Sequence, residues 1–306
     1  MSEDNEAEEM MLCCASCGTA DGDDINLKDC SACHLVKYCS MKCQKDHWPK
    51  HKKECKKRAA ELHDEILFKQ PESTYRGDCP ICCLPLSLDP DKSTLNTCCC
   101  KIICNGCNVA NMMREMDGRL HHKCPFCRED LPTDEEIDEL LMKRIKVNDP
   151  VAMCFMGTKR FHEGDLKAAF EYWTRAVALG NVEAHFQLST LYGEGIGVEK
   201  DETRERHHAE LAAIGGHPGA RHNLGCVEKE NGRIERAAKH WIISAKLGDD
   251  ESLKSVKSLY KIQYISKDVF ATALRGYQTA IEATKSPQRE EAAEVYKNYS
   301  SMRGDA

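Results

Sequence analysis

Eighteen of the chain's twenty cysteines fall between Cys13 and Cys127, and only Cys154 and Cys226 lie beyond. Most come in spaced pairs. The first block reads Cys14-x2-Cys17, Cys30-x2-Cys33, Cys39-x3-Cys43 and His51-x3-Cys55. Thiolates and imidazoles are zinc donors, and eight of them suffice for two tetrahedral sites. A CxxC knuckle turns tightly enough to aim two sulfurs at one metal. A four-residue step on a helix puts Cys39 with Cys43, and His51 with Cys55, on one face. The second block reads Cys79-x2-Cys82, two among Cys98, Cys99 and Cys100, Cys104-x2-Cys107, and Cys124-x2-Cys127. It again supplies eight ligands for two sites, with His121 and His122 as outside candidates. Neither block is long enough for a self-sufficient apolar core, so bound zinc must supply the folding free energy, on the order of 10 kcal/mol or more per site. About four structural zinc ions per chain are expected.

Cysteine-rich segments are either disulfide frameworks or metal sites, and the compartment decides between them. The start, "MSEDNEAEEM", is acidic and carries no signal-peptide pattern. No stretch approaches the ~20 apolar residues of a membrane span. A cytoplasmic or nuclear protein, not a secreted one, is therefore expected, with its cysteines as thiolates. The net charge of -7 argues against nucleic acid as a partner, because that needs a basic face. The one basic run, "KHKKECKKR" (50–58), reads as a solvated helix face, and residues 1–12 read as a disordered acidic tail.

"CASC", "CSACHLVKYCSMKCQ" and "HWPKHKKEC" make residues 13–55 resemble a MYND zinc finger. The resemblance implies interleaved sites, with Cys14, Cys17, Cys39 and Cys43 on one zinc and Cys30, Cys33, His51 and Cys55 on the other. Cys13 matches no position of the motif. MYND domains bind proline-containing peptides, and the peptide-contacting Gln and Trp of the family fall on Gln44 and Trp48. Trp48 could equally anchor its own helix.

"CPIC" (79–82) and "CPFC" (124–127), bracketing "CCCKIICNGC", make residues 79–128 resemble a RING finger of an all-cysteine kind. By that likeness Cys79, Cys82, Cys104 and Cys107 hold one zinc, while Cys124 and Cys127 hold the other with two of the triplet. The family commonly has a histidine three positions before Cys104, where this chain has Lys101. Either Cys98 with Cys100, or Cys98 with Cys99, completes the set. The resemblance further implies a platform for a ubiquitin-conjugating enzyme at Ile81 and Pro125. Arg128 matches the basic residue that bridges to ubiquitin, a role suited to a planar five-donor guanidinium.

The elements that carry these blocks differ in kind from the second half of the chain. A 68-residue shift maps Gly157 onto Gly225, Gly164 onto Gly232, Trp173 onto Trp241 and Gly180 onto Gly248. Apolar and alanine positions recur at helical spacing, as in "LKAAFEYWTRAVALG", and glycine ends each helix. Residues 149–285 therefore resemble Sel-one-like repeats, relatives of the tetratricopeptide repeats, with a degenerate fourth unit that begins at Glu251. Such a stack offers a concave protein-binding surface. Trp173 and Trp241 read as core, and His207, His208, His217 and His222 as surface or loop residues. A helical linker (56–78), a linker helix (129–148) opened by the capping box Thr133-x-x-Glu136, and a C-terminal tail (286–306) complete the chain. The expected architecture is multi-domain: two small zinc-stabilised cross-brace modules followed by an all-α helical-repeat solenoid, its parts semi-independent.

No nucleotide-binding glycine motif or Ser/His/Asp arrangement is visible, and no SET-domain sequence flanks the finger. Two readings remain. The leading one is a RING-type ubiquitin ligase that positions a ubiquitin-charged conjugating enzyme without a covalent intermediate, its finger and repeats recruiting protein substrates. The alternative is a non-catalytic zinc-binding adaptor for protein partners.

Overall fold

Short, polar, cysteine-punctuated sequence cannot build long strands, and the described residues of 13–55 form one two-residue ladder beside isolated bridges such as Cys14↔Lys37. β1 (Lys28–Asp29) pairs antiparallel with β2 (Lys37–Tyr38), and the Cys30–Cys33 knuckle lies in the connection between them. The computed structural model describes residues 13–22 and 25–303, so the expected acidic tail lies outside the described residues. Helix α1 (Met41–Leu67) opens at Ser40, whose hydroxyl accepts the Cys43 N–H at 3.2 Å. Ser40 thereby satisfies one of the donors that every helix N-terminus leaves free. The helix runs unbroken past Cys55, so the finger and the first part of the expected 56–78 linker are one element. The chain divides into two compact units, and the boundary falls between Lys69 and Gln70.

The second unit begins with another metal-sized module. β3 (Ser93–Asn96) and β4 (Lys101–Cys104) form an antiparallel hairpin in the register Ser93↔Cys104 to Asn96↔Lys101. The cysteine triplet is the turn of this hairpin. α2 (Asn105–Asp117) comes next, and its N-cap is Cys104, whose sulfur accepts the Cys107 N–H at 3.5 Å. α3 (Asp134–Lys146) opens with the expected capping box, the Thr133 N–H donating to the Glu136 carboxylate at 2.9 Å.

Eight helices then pack as neighbours in sequence: α4 (Pro150–His162), α5 (Leu166–Ala178), α6 (Val182–Glu194), α7 (Glu202–Ile214), α8 (Pro218–Glu230), α9 (Ile234–Lys246), α10 (Asp250–Lys261) and α11 (Lys267–Ala283). Asp149, Asn181, His217 and Asp249 each cap the next helix, accepting a backbone N–H through the side chain. Gly180 and Gly248 end the preceding helices at φ +80° and +96°, where a Cβ would be strained. The 68-residue period is visible in three dimensions. A Cβ on Gly157 would lie 2.7 Å from the Trp173 indole, and one on Gly225 would lie 2.5 Å from that of Trp241. Each indole N–H donates to a carbonyl at 3.2 Å, Trp173 to Cys154 and Trp241 to His222, again 68 residues apart. Both tryptophans are core.

Three features depart from the sequence reading. Residues expected as a C-terminal tail form α12 (Pro287–Arg303), which packs on α2. α3 is not a free linker, because Leu141 and Ile145 are buried in one cluster with Met153, Met156 and Trp173. Residues after Gln70 dock on the repeats: the Tyr75 N–H donates to Gly216 O at 3.1 Å, and its ring stacks on His217 with centroids 4.3 Å apart. His217 is thus buried rather than a surface histidine, with Phe186 on its other face and Glu183 3.2 Å from Nε2. Burial pushes the Glu183 carboxyl up, but hydrogen bonds from His217, Gln187 and Tyr75 bring it down to about 2.

Candidate metal centres

No disulfide joins any of the twenty cysteines, and sixteen ligating residues fall into four groups of four. The groups are Cys14, Cys17, Cys39 and Cys43; Cys30, Cys33, His51 and Cys55; Cys79, Cys82, Cys104 and Cys107; and Cys98, Cys99, Cys124 and Cys127. Within each group the donor atoms lie no more than 4.8 Å apart. Zn–S bonds of about 2.3 Å at tetrahedral angles would place sulfurs ~3.8 Å apart. The observed separations bracket that value: 3.6 Å for Cys17–Cys39 and Cys39–Cys43, 3.7 Å for Cys30–Cys55 and Cys82–Cys104, and 3.9 Å for Cys99–Cys124. Cys33 Sγ stands 3.3 Å from His51 Nε2, and Cys127 Sγ stands 3.4 Å from Cys98 Sγ. The donor sets fit four structural zinc ions.

In the first module a knuckle between short strands meets a helix that carries two ligands on one face, whereas in the second Cys104 ends β4, Cys107 lies on α2, and Cys124 and Cys127 lie in the loop after it. β1 and β2 hold Cys30 and Cys33 against His51 and Cys55 of α1, and all four are buried. The group at Cys14 is more open, with Cys17 exposed. Backbone amides aimed at the sulfurs favour thiolate. Burial pushes the Cys14 thiol up, but the N–H groups of Cys39, Cys17 and Ser16 bring it down to about 6. For Cys30, burial is likewise overcome by the Ala32 N–H and by His51, and the thiol falls to about 6. His51 is steadied by stacking on His47, with centroids 5.7 Å apart, while Tyr38 Oη lies 3.0 Å from His47 Nδ1.

The crowded triplet resolves into two roles. Cys98 and Cys99 join Cys124 and Cys127, and Cys100 does not. Cys100 adopts φ 53°, which turns its side chain away from its neighbours. Its thiol donates to Thr97 O at 3.7 Å, and it is buried in the cluster that holds Leu141, Ile145 and Trp173. The alternative pairing of Cys98 with Cys100 is thereby corrected. His121 and His122 also lie outside the four groups, with His122 paired to Glu115 at 3.4 Å.

Gln44 and Trp48 sit one turn apart on α1, Gln44 half-buried and Trp48 exposed. Ile81, Pro125 and Arg128 line one groove of the second module together with Asn111, Arg114 and Gln288. The Arg128 guanidinium donates to Asn111 Oδ1 at 2.8 Å. Asn111 and Gln288 were not singled out from the sequence, because neither belongs to a cysteine motif.

The chain is thus a zinc-binding protein of two small metal-cored modules and an all-α helical repeat. Residues 14–55 match the MYND finger family. One stretch of 52 residues is 40% identical to the SET domain and MYND-type zinc finger protein 6 of Schizosaccharomyces pombe, covering 17% of this chain and 11% of that protein. Another, of 30 residues, is 63% identical to the histone-lysine N-methyltransferase SMYD3 of Homo sapiens, covering 10% of this chain and 7% of that protein. The chain therefore spans only a small part of the length of these curated relatives. Among solved structures, a Sel1 repeat protein from Oxalobacter formigenes superposes with a TM-score of 0.41 and 20% identity, over 58% of this chain and 71% of that one. Among the described residues no helix is long and apolar enough to cross a membrane.

Proposed function

We propose that the protein is a non-catalytic adaptor that brings protein partners together, with its zinc ions serving as structural centres. One observation carries the reading: each of the four groups supplies a full set of four protein donors. Tetrahedral zinc so held keeps no open position for water or substrate. What remains for function is surface. The finger presents Trp48 beside Gln44 on α1, an exposed aromatic and an amide at the spacing of one helical turn. Proline-containing peptides suit such a surface, since their rings stack on an indole and their extended backbone is low in entropy. The repeats supply a second docking face. A reducing compartment, cytoplasm or nucleus, belongs to the same reading, because thiolate ligands persist there. The test is titration of the zinc-loaded protein with a panel of proline-rich peptides. Binding that Trp48→Ala weakens about 30-fold, as loss of an aromatic anchor worth about 2 kcal/mol would, supports the reading. Equal affinity in wild type and variant sinks this peptide site.

A second reading, ubiquitin transfer, is favoured by the shared groove of Ile81, Pro125 and Arg128. A conjugating enzyme seated there would be positioned for transfer with no covalent step on this chain. Discharge of ubiquitin from preloaded conjugating enzymes, abolished by Arg128→Ala, would establish it. Absence of discharge across a broad panel would leave the adaptor alone.

A further inference from the structure

We infer that Arg289, delivered by the C-terminal helix, is a positioning residue for the zinc group formed by Cys79, Cys82, Cys104 and Cys107. Its guanidinium reaches the first knuckle of the second module from more than two hundred residues away. Nη2 donates to Cys82 Sγ at 3.3 Å and to Leu84 O at 3.0 Å. Nη1 donates to Pro85 O at 2.6 Å and to Thr284 O at 2.8 Å. One planar group therefore holds a ligand sulfur, two carbonyls just past the knuckle, and the end of α11. A compact ammonium has no fork with which to span those acceptors.

Two independent features show that the approach is built in. Gly106 stands between the ligands Cys104 and Cys107, and a Cβ there would lie 2.9 Å from Arg289 Cγ and 3.0 Å from its backbone nitrogen. The glycine in "CNGC" thus lets α12 close on α2. The first turn of α12 is also fixed, because Ser286 Oγ accepts the Arg289 N–H at 3.3 Å. The chemistry has a clear purpose. Four thiolates around one zinc ion carry a net charge of about −2, and a guanidinium against one sulfur offsets part of it. Hydrogen bonds that orient a metal's ligands are typically worth about 10- to 100-fold in metal affinity. Gln288, the preceding residue, forms one wall of the Ile81–Pro125–Arg128 groove, so the contact that steadies the metal group also sets the shape of that surface.

The experiment measures zinc release from the full-length, zinc-loaded protein into a colorimetric chelator. In Arg289→Ala we expect the second module's zinc to leave about 10- to 100-fold faster. The two ions at residues 14–55 should leave at the wild-type rate, which makes them the internal control. Arg289→Lys should be intermediate, since it keeps the charge but not the fork. Gly106→Val, which leaves Arg289 in the chain but pushes α12 away, should also speed release. Should Arg289→Ala purify without the module's zinc, Arg289→Lys alone decides: faster release supports the inference, and the wild-type rate overturns it. Wild-type release in both Arg289 variants would equally overturn it.

Discussion

The two kinds of region in this chain bury different things. In the finger, the buried cluster is Cys14, Leu27, Cys30, Cys33, Tyr38 and Cys55, so most of the core consists of ligands. In the repeats the corresponding clusters are built from Trp173, Leu188, Leu191 and small alanines, and again from Trp241, Val256 and Leu259. The difference arises from length and pattern. A segment of some forty residues cannot remove enough apolar surface from water to offset its chain entropy. A stack of helix pairs can, because each pair covers the open face of the one before.

The largest effect should come from removing the metal. Structural zinc contributes about 10–16 kcal/mol in small zinc modules, comparable to or greater than the whole stability of a typical domain. A strong chelator at neutral pH should therefore unfold residues 14–55 outright, while α4 to α10 keep their helices. Far-UV circular dichroism with limited proteolysis checks this. Helix loss should be partial, and the surviving fragment should span the repeats. Complete loss of helicity on chelation would break the comparison, because the repeats would then depend on metal too.

A smaller effect tests the other side. Gly225→Ala places a methyl group where the Trp241 indole lies, 2.5 Å from its Nε1. Overpacking of this sort costs typically about 1–3 kcal/mol. For a body of this size that lowers the melting temperature by a few degrees per kcal/mol. The equivalent Gly157→Ala should behave alike, since it meets Trp173 in the same way. Neither variant should alter zinc content by metal analysis. A changed zinc stoichiometry would mean that the repeats and the metal groups fold as one cooperative body.

The sequence was most informative where chemistry is local. Ligand pairs such as Cys14-x2-Cys17 and His51-x3-Cys55 are fixed by their own turn or helix face, so their spacing alone marks them. The Gly157/Trp173 and Gly225/Trp241 pairs repeat with one period because each unit solves the same packing problem. Contacts made across long separations left no such mark. α12 read as a tail because its partner, α2, lies about 180 residues earlier, and nothing in "SPQREEAAEVYKNY" names Gly106. His217 read as a loop histidine, although it caps α8 and is sandwiched between Tyr75 and Phe186. The finger was divided from its linker at Cys55 because the ligands end there, whereas the helix does not.

The triplet at residues 98–100 brings the comparison down to neighbouring residues and gives the smallest effect. Three adjacent cysteines are chemically alike, so only the hairpin turn and the φ of 53° at Cys100 separate their roles. Cys99 belongs to a metal group and Cys100 to the same apolar cluster as Trp173. Cys99→Ala should cost at least one zinc equivalent, because a tetrahedral site that loses a thiolate loses most of its affinity. Cys100→Ala should keep the full complement and cost only about 1 kcal/mol, the loss expected for one buried heavy atom and the small void it leaves. Metal analysis beside a thermal melt reads both quantities on the same samples. If Cys100→Ala loses zinc and Cys99→Ala does not, the turn presents its sulfurs the other way round. The second module would then be joined to the repeats through Cys99, and the boundary between the metal-held core and the apolar core would shift by one residue.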